Sequence, residues 1–476
     1  VVGVMLAALP IIMFMYFDAI RNDPNDSTIK ANEREFLGKS FEDGRRIDLS
    51  RSENGFLKNS FKSNGQMRVM NTMRMKGPRI SLKLVNRQLE LLQDKHPVLR
   101  CRVMKDSSHK YKYQLVQDST MDLVAEAFRV PELGIESWQQ VWKQEGSMPM
   151  VEGHLALRVL IITYEDTDNV CDIMVMMEHA FCDGISLSLF CHELLCLVSG
   201  DPERMPSMKP LPWQAPLEVL SARGNDQWIK ETLSWSKAQM KSLMSTRLKK
   251  RGSNKQNISK LLQVFDDYDT KTLVLHCKKN NTSVTAAVST AVADAIAYVC
   301  DSKQSDKYVV MQLAADLRRQ YNDTIDDAHL FCHAGAIGAC AVNTNGDLSA
   351  EGLWKAARTL RSDVVASMGQ VRGGSQLLGV VYSSEDFIND YVRQAPSCSL
   401  TSWGVLPFRS HYGKWTLTMQ RPCVNIINSY YLMVICSTVN ETTTLSFVAS
   451  SEFSDEHVLK SLAKQTRKRI MKMFSN

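Results

Sequence analysis

The sequence predicts an α/β chain, in the looser α+β sense, made of two similar halves that share a site between them. Three observations carry this. Strand-like and helix-like periodicities alternate on both sides of the middle of the chain. A proline-rich and then basic stretch, 206–256, separates the two runs. The 476 residues, 44% hydrophobic and 23% charged, exceed what one hydrophobic core usually organises. No short-period repeat is present.

Residues 1–32 form an apolar segment and a linker. Val1 to Phe17 carries no charge, includes Gly3 and Pro10, and falls just short of the ~20 apolar residues that span a bilayer. It lacks a basic n-region and a small-x-small cleavage site. A membrane anchor, a truncated targeting segment and an incidental extension are three readings the residues leave open, and membrane association through Val1 to Phe17 is carried forward as an expectation. Arg21 to Lys30 is polar and turn-rich.

The first domain is expected over 33–205. Gln66 to Met75 reads as a strand, Ile80 to Lys95 as a helix, and Val98 to Met104, Tyr111 to Val116, Leu155 to Tyr164 and Val170 to Met177 as further strands. Ile185 to Val198 is helix-like. The crossover, 206–256, opens with Pro206, Pro210, Pro212 and Pro216 and continues through a polar helical stretch to Lys249-Lys250-Arg251-Gly252-Ser253.

The second domain, 257–476, repeats the alternation. Thr272 to His276 reads as a strand, Ser283 to Cys300 as an alanine-rich helix, Tyr308 to Ala314 and Ala334 to Val342 as strands, and Leu353 to Met368 as a helix. Tyr430 to Val439 and Thr444 to Ala449 form a hairpin around Asn440-Glu441, and Ser454 to Met473 closes the chain as a capped helix.

Chemistry concentrates at His179-Ala180-Phe181-Cys182-Asp183-Gly184, where an apolar strand gives way to a helix. A histidine titrates near neutral pH and can take a proton from an alcohol, amine or thiol. An aspartate four residues on can fix the loop that presents it, and Gly184 permits close approach of backbone or ligand. The plainer reading is that Asp183 is an N-cap and His179 a strand-end residue.

Other chemistries find less support. The net charge of +6 comes with no basic stripe interleaved with aromatics, so nucleic-acid binding is not expected, although slight positive charge suits an anionic, phosphate-bearing donor. The 12 cysteines show no CxxC pair or zinc spacing and read as reduced, mostly buried thiols. Cys182 is read as packing rather than as a nucleophile. His179, His192 and Glu193 form no HExxH arrangement, His192 is expected on a helix surface, no metal is expected, and no G-x-S-x-G elbow occurs. Sequons such as Asn257 and Asn440 matter only in a secreted chain.

The hexapeptide resembles the HxxxDG motif of the CoA-dependent acyltransferase superfamily, which includes BAHD acyltransferases, chloramphenicol acetyltransferase, alcohol acetyltransferases and peptide-synthetase condensation domains. Leu84 to Val103, LVNRQLELLQDKHPVLRCRV, is similar to the first helix and following strand of these proteins. Ala314-Ala315-Asp316-Leu317-Arg318 resembles their "DxR" strand end, and Thr401-Ser402-Trp403-Gly404 lies about where BAHD enzymes carry DFGWG. The resemblance covers about 33–473.

It implies two chloramphenicol-acetyltransferase-like sandwich domains with an active-site tunnel between them. His179 would be the general base. Asp183 would be structural and pair with Arg318, Gly184 would complete the motif, and Ser402 or the backbone near Trp403 and Gly404 would stabilise the oxyanion. Acyl-CoA would be a co-substrate with no tightly bound cofactor. The acceptor would be an alcohol or amine and the chain a cytoplasmic or membrane-associated monomer. Two positions depart from the pattern. Glu178 stands where wax-ester synthases and many condensation domains have a second histidine, and Ser-Trp-Gly replaces both the Phe-Gly-Trp-Gly of BAHD enzymes and the Ser-Asn-x-Gly of alcohol acetyltransferases. An alcohol acetyltransferase-like activity is the leading expectation. A carrier-dependent condensation-like enzyme and a non-catalytic CoA- or acyl-binding protein are the alternatives.

Overall fold

The computed structural model describes residues 44–49, 51–62, 65–106, 113–201, 205–212, 261–300, 308–316, 318, 329–368, 397–426, 432–451 and 454–475. The apolar segment 1–17 and the crossover beyond 212 lie outside them.

The first half runs β1 (Arg46–Asp48), α1 (Arg51–Lys62), β2 (Val69–Lys76), α2 (Leu82–Lys95), a 3-10 turn (Pro97–Arg100), β3 (Cys101–Lys105), β4 (Tyr113–Gln117), β5 (Ala125–Val130), α3 (Trp138–Glu145), β6 (Leu157–Tyr164), β7 (Val170–Met177) and α4 (Gly184–Ser199). The second runs β8 (Leu261–Asp269), α5 (Thr270–Lys279), α6 (Val284–Val299), β9 (Tyr308–Asp316), β10 (Ala334–Asn343), α7 (Ala350–Met368), β11 (Cys398–Val405), β12 (His411–Tyr412), β13 (Trp415–Val424), β14 (Met433–Val439), β15 (Thr442–Ser450) and α8 (Glu456–Phe474).

Two six-stranded sheets organise these elements, in the orders β12-β13-β2-β7-β6-β5 and β10-β9-β11-β14-β15-β8, with a small third sheet β1-β4-β3. The second half therefore lends β12 and β13 to the first half's sheet, where Val424 pairs with Val69 and Thr416 with Lys76. The first core follows suit. Trp403, Phe408, Trp415 and Ile435 pack in one cluster with Leu89, Val175 and Leu194. A second cluster joins the inner faces of β9, β11, β14 and β15 to α6, α7 and α8.

Local sequence explains the helices that matter for the site. α4 is apolar nearly all round, as a helix enclosed on every side must be, and lies between α2 and β2. α6 is built on alanine, which lets α7 and α8 approach closely. Its one buried carboxylate, Asp294, is met by Arg469 Nε of α8 at 2.7 Å. Among the described residues no single helix is long and apolar enough to cross a membrane.

Some elements differ from expectation. Residues 98–100 belong to a 3-10 turn and the strand begins only at Cys101, because Pro97 fixes φ and starts the turn. Thr272 to His276 is not a strand but part of α5. Its Thr-Leu-Val-Leu run has β-type composition, yet the Asp269 carboxylate accepts from Thr272 N at 2.7 Å and caps a helix. The neighbouring strand is β8, which precedes that cap and pairs with β15.

Candidate active site

β7 ends as a fully buried strand, and a tight turn follows in which Phe181 N donates to Glu178 O at 2.9 Å. Asp183 then begins α4. Its Oδ1 accepts from Ile185 N at 3.0 Å and Ser186 N at 2.8 Å, and Ser186 Oγ accepts in return from Asp183 N at 3.0 Å, a capping box. The same carboxylate reaches across to the second half. Oδ1 accepts from Arg318 Nη2 at 3.0 Å and Oδ2 from His333 N at 2.8 Å. The N-cap reading and the arginine-partner reading of Asp183 thus describe one side chain. Burial opposes its charge, but Arg318, His333 and the cap amides prevail and hold the carboxyl well below the usual range.

Arg318 is 4% exposed and also donates to Asp316 Oδ1 at 2.9 Å. It is an internal tie between the halves.

His179 is half-buried and stacks on Phe56 of α1, with ring centroids 4.7 Å apart and planes 4° from parallel. Cys332 Sγ lies 3.5 Å from its Nδ1. Burial lowers the imidazole pKa, opposed by the His179 and Cys182 carbonyls and by Asp183, so the ring is neutral at pH 7. The contact with Cys332 belongs to a three-residue staple from the second half. Phe331 O accepts from Ser186 Oγ at 2.9 Å, Cys332 meets His179, and His333 N meets Asp183.

Glu178 is buried and engaged from two elements. Oε1 accepts from Arg68 Nε at 2.8 Å and Nη2 at 2.6 Å, and Oε2 accepts from Ser60 Oγ of α1 at 2.5 Å. The residue before His179 is therefore an anchor for α1, which carries Phe56. The Cys182 thiol is pushed well up, first by burial and then by Asp183, and is a packing group.

β11 forms the facing wall. Cys398 and Leu400 point into the second core, while Ser399, Thr401 and Ser402 line the cleft. Trp403 is buried against Gly184, and Gly404, at φ +68°, occupies the left-handed region beside a register shift between Ser402 and Gly404. The cleft encloses about 800 Å³ of empty space, part of it open to solvent, and draws on both halves. His179, Asp183, Gly184, Arg318 and Ser402 all line it.

His192 is not on a free helix surface. It is half-buried and hydrogen-bonded through Nδ1 to Tyr412 of β12 at 2.6 Å, and burial lowers its pKa to about 4. Sequence reasoning did not reach Phe56, Cys332 or Arg68. Phe56 lies on an unpredicted helix, and the other two meet the motif only through long-range folding. Among the described residues no group of three or more His, Cys, Asp or Glu is arranged to hold a metal ion.

No family model matches the sequence, and no curated protein matches it. Solved structures do. The chain is similar to the trichothecene 15-O-acetyltransferase TRI3 from Fusarium sporotrichioides, with 13% identity and TM-score 0.68 over 90% of this chain and 95% of that one. It is also similar to the epimerization domain from the third module of tyrocidine synthetase B, with 14% identity and TM-score 0.67 over 92% and 98%. The condensation domain of the Monacolin K polyketide synthase MokA aligns at 13% identity and TM-score 0.66 over 92% and 99%.

Proposed function

Starting from a chain with the two-lobed fold shared by CoA-dependent acyltransferases and condensation domains, we propose that it transfers an acyl group from a CoA thioester to a hydroxyl or amine, with His179 as general base. The observation that carries this reading is a neutral imidazole on the wall of a cleft built by both halves, with Ser402 lining the same space.

The proton accounting fits these residues. As the acceptor oxygen or nitrogen attacks the thioester carbonyl, His179 removes its proton. The carbonyl becomes a tetrahedral oxyanion, to which the Ser402 hydroxyl donates. Collapse breaks the C–S bond, and the imidazolium returns the proton to the departing thiolate. Asp183 is not the base, because its two oxygens already accept from Arg318, two cap amides and His333 N. Cys182 is a buried neutral thiol, so the reaction proceeds by direct transfer without an acyl-enzyme. Arg318 and Asp183 act at one remove, fixing the turn that carries His179.

The second reading, an acyl group delivered on a carrier protein, is favoured by the likeness to synthetase domains. Glu178 in place of a second histidine weighs against it. The discriminating experiment is release of free CoA thiol from acetyl-CoA and longer acyl-CoAs with a pooled panel of alcohols and amines. Acceptor-dependent release by the parent, reduced about 10² to 10⁴-fold in His179→Ala, is expected. Full activity in that variant would remove His179 from its role. Inertness towards every free CoA ester, with turnover of an acylated carrier, would select the second reading.

A further inference from the structure

The wall of the cleft opposite His179 carries more polarity than acyl transfer uses. β11 lies between β9 and β14, and its register sets Ser399 beside Gln312 on one side and Met433 on the other. One step along, Thr401 stands beside Ala314 and Ile435. Alternation sends Cys398 and Leu400 into the second core and Ser399 and Thr401 into the cleft. Across from them the wall is apolar, with Phe56, Met67, Val69 and Val424.

Ser399 is 5% exposed. Neither its hydroxyl nor that of Thr401 has a hydrogen-bond partner among the described residues, unlike Ser186, Ser188 and Ser60 elsewhere around the site. A hydroxyl that faces a cavity and has no protein partner is completed by whatever fills the cavity. A strand facing only an apolar acceptor would gain by carrying Ala and Val at these positions.

We propose that the acceptor is an amphipathic molecule bearing a second hydrogen-bonding group, hydroxyl or carbonyl, remote from the reacting one and read by Ser399 and Thr401. This rests on the acyl-transfer reading above. Strand geometry sets the reach. Ser399 and Thr401 are two residues apart, about 7 Å along β11, and Trp403, which abuts Gly184 of the motif, lies about 7 Å further on. Because the Ser402 hydroxyl, next to Thr401, is the one that meets the acyl carbonyl, the second group lies about 3 to 10 Å from the transferred acyl position. The acceptor's apolar body lies against the opposite wall. A simple short-chain alcohol leaves both hydroxyls unmet.

The test uses matched pairs, primary alcohols and the α,ω-diols of the same chain length, from about three to twelve carbons to bracket that range. The measured quantity is the ratio of kcat/KM for diol over alcohol, with acetyl-CoA as donor, in the parent, Ser399→Ala and Thr401→Val. Both replacements remove a hydroxyl without changing the strand's backbone hydrogen bonds. The parent is expected to prefer the diol at one chain length. The ratio should fall about 5- to 10-fold in each variant, the range of one neutral hydrogen bond. A parent without preference at any length, or a ratio unchanged in both variants, overturns the proposal. If the parent turns over no CoA ester, the acyl-CoA reading fails by itself. Calorimetric titration of the same pairs onto the three proteins then decides the binding claim, which falls if diol and alcohol bind equally to all.

Discussion

The indole of Trp403 fills the place where a side chain on Gly184 would stand: a Cβ there would lie 1.9 Å from Cε2 and 2.2 Å from Cδ2. The motif's glycine is thus required by a residue nearly half the chain away. Gly184→Ala is expected to cost about 1–3 kcal/mol or more, because the indole is itself buried and has nowhere to retreat. It should also displace β11 and lower activity. Thermal unfolding of Gly184→Ala, Trp403→Ala and the double variant checks this. The double should cost clearly less than the sum of the two singles.

The Asp183–Arg318 pair, with both side chains buried, joins the halves at 3.0 Å. Asp183→Asn keeps an oxygen for the helix cap but takes from Arg318 Nη2 its buried carboxylate, while the partly exposed Asp316 stays at Nη1. Breaking a buried pair in this way costs about 3–5 kcal/mol. Urea unfolding should show that loss. A variant as stable as the parent would mean that the cap hydrogen bonds, and not the charge, hold the turn.

Glu178 makes the same argument from the other side of His179. Replacing it with histidine, the residue common in condensation domains, removes both hydrogen bonds to Arg68 and strands a buried guanidinium. Glu178→His should lose about 3–5 kcal/mol and loosen α1, so that Phe56 no longer stacks on His179. The double variant Arg68→Met with Glu178→Gln, which removes both charges, should recover much of that loss.

Two pH dependences follow from burial. On the proposed mechanism His179 must be neutral to act, and burial lowers its pKa below the ordinary 6.5, so kcat/KM should rise on the acid side with a midpoint below that value and stay flat through neutrality. Stability has its own window. His333 is fully buried, both its ring nitrogens lack partners among the described residues, and burial with Arg318 pushes its pKa to about 3. Such a group binds protons more readily in the unfolded chain, so its stabilising contribution is complete above about 6.5 and erodes as pH falls towards about 3. His192, at about 4, acts in the same direction. Thermal midpoints measured from pH 7 down to 4 should fall, and His333→Leu should flatten the slope.

Much of the site's motif was legible because it is local. The apolar run of β7, the Asp183 cap and the helix after it are consecutive, and each has its own sequence signal. The long elements of the second half, α6 and the β14–β15 hairpin, were legible for the same reason. What surrounds His179 was not. Phe56 and Cys332 reach His179, and Arg68 reaches Glu178 beside it, by tertiary packing, and nothing in their neighbourhoods marks them. α5 was misread because Thr, Leu and Val in sequence look like a strand unless the capping aspartate before them is weighed. β13 was unread because it contains Arg421 and Pro422, which interrupt an apolar strand pattern.

The borrowed hairpin has a consequence for how the chain is born. β2 is flanked by β7 and by β13, so until residue 424 leaves the ribosome one edge of the first sheet has no strand to pair with. Pairings of such long sequence separation form late and slowly. The nascent first half therefore waits with an open edge, the feature that invites strand exchange between neighbouring chains. A chain truncated before His411 would expose that edge permanently, and its failure would be seen as aggregation rather than as a weakened enzyme.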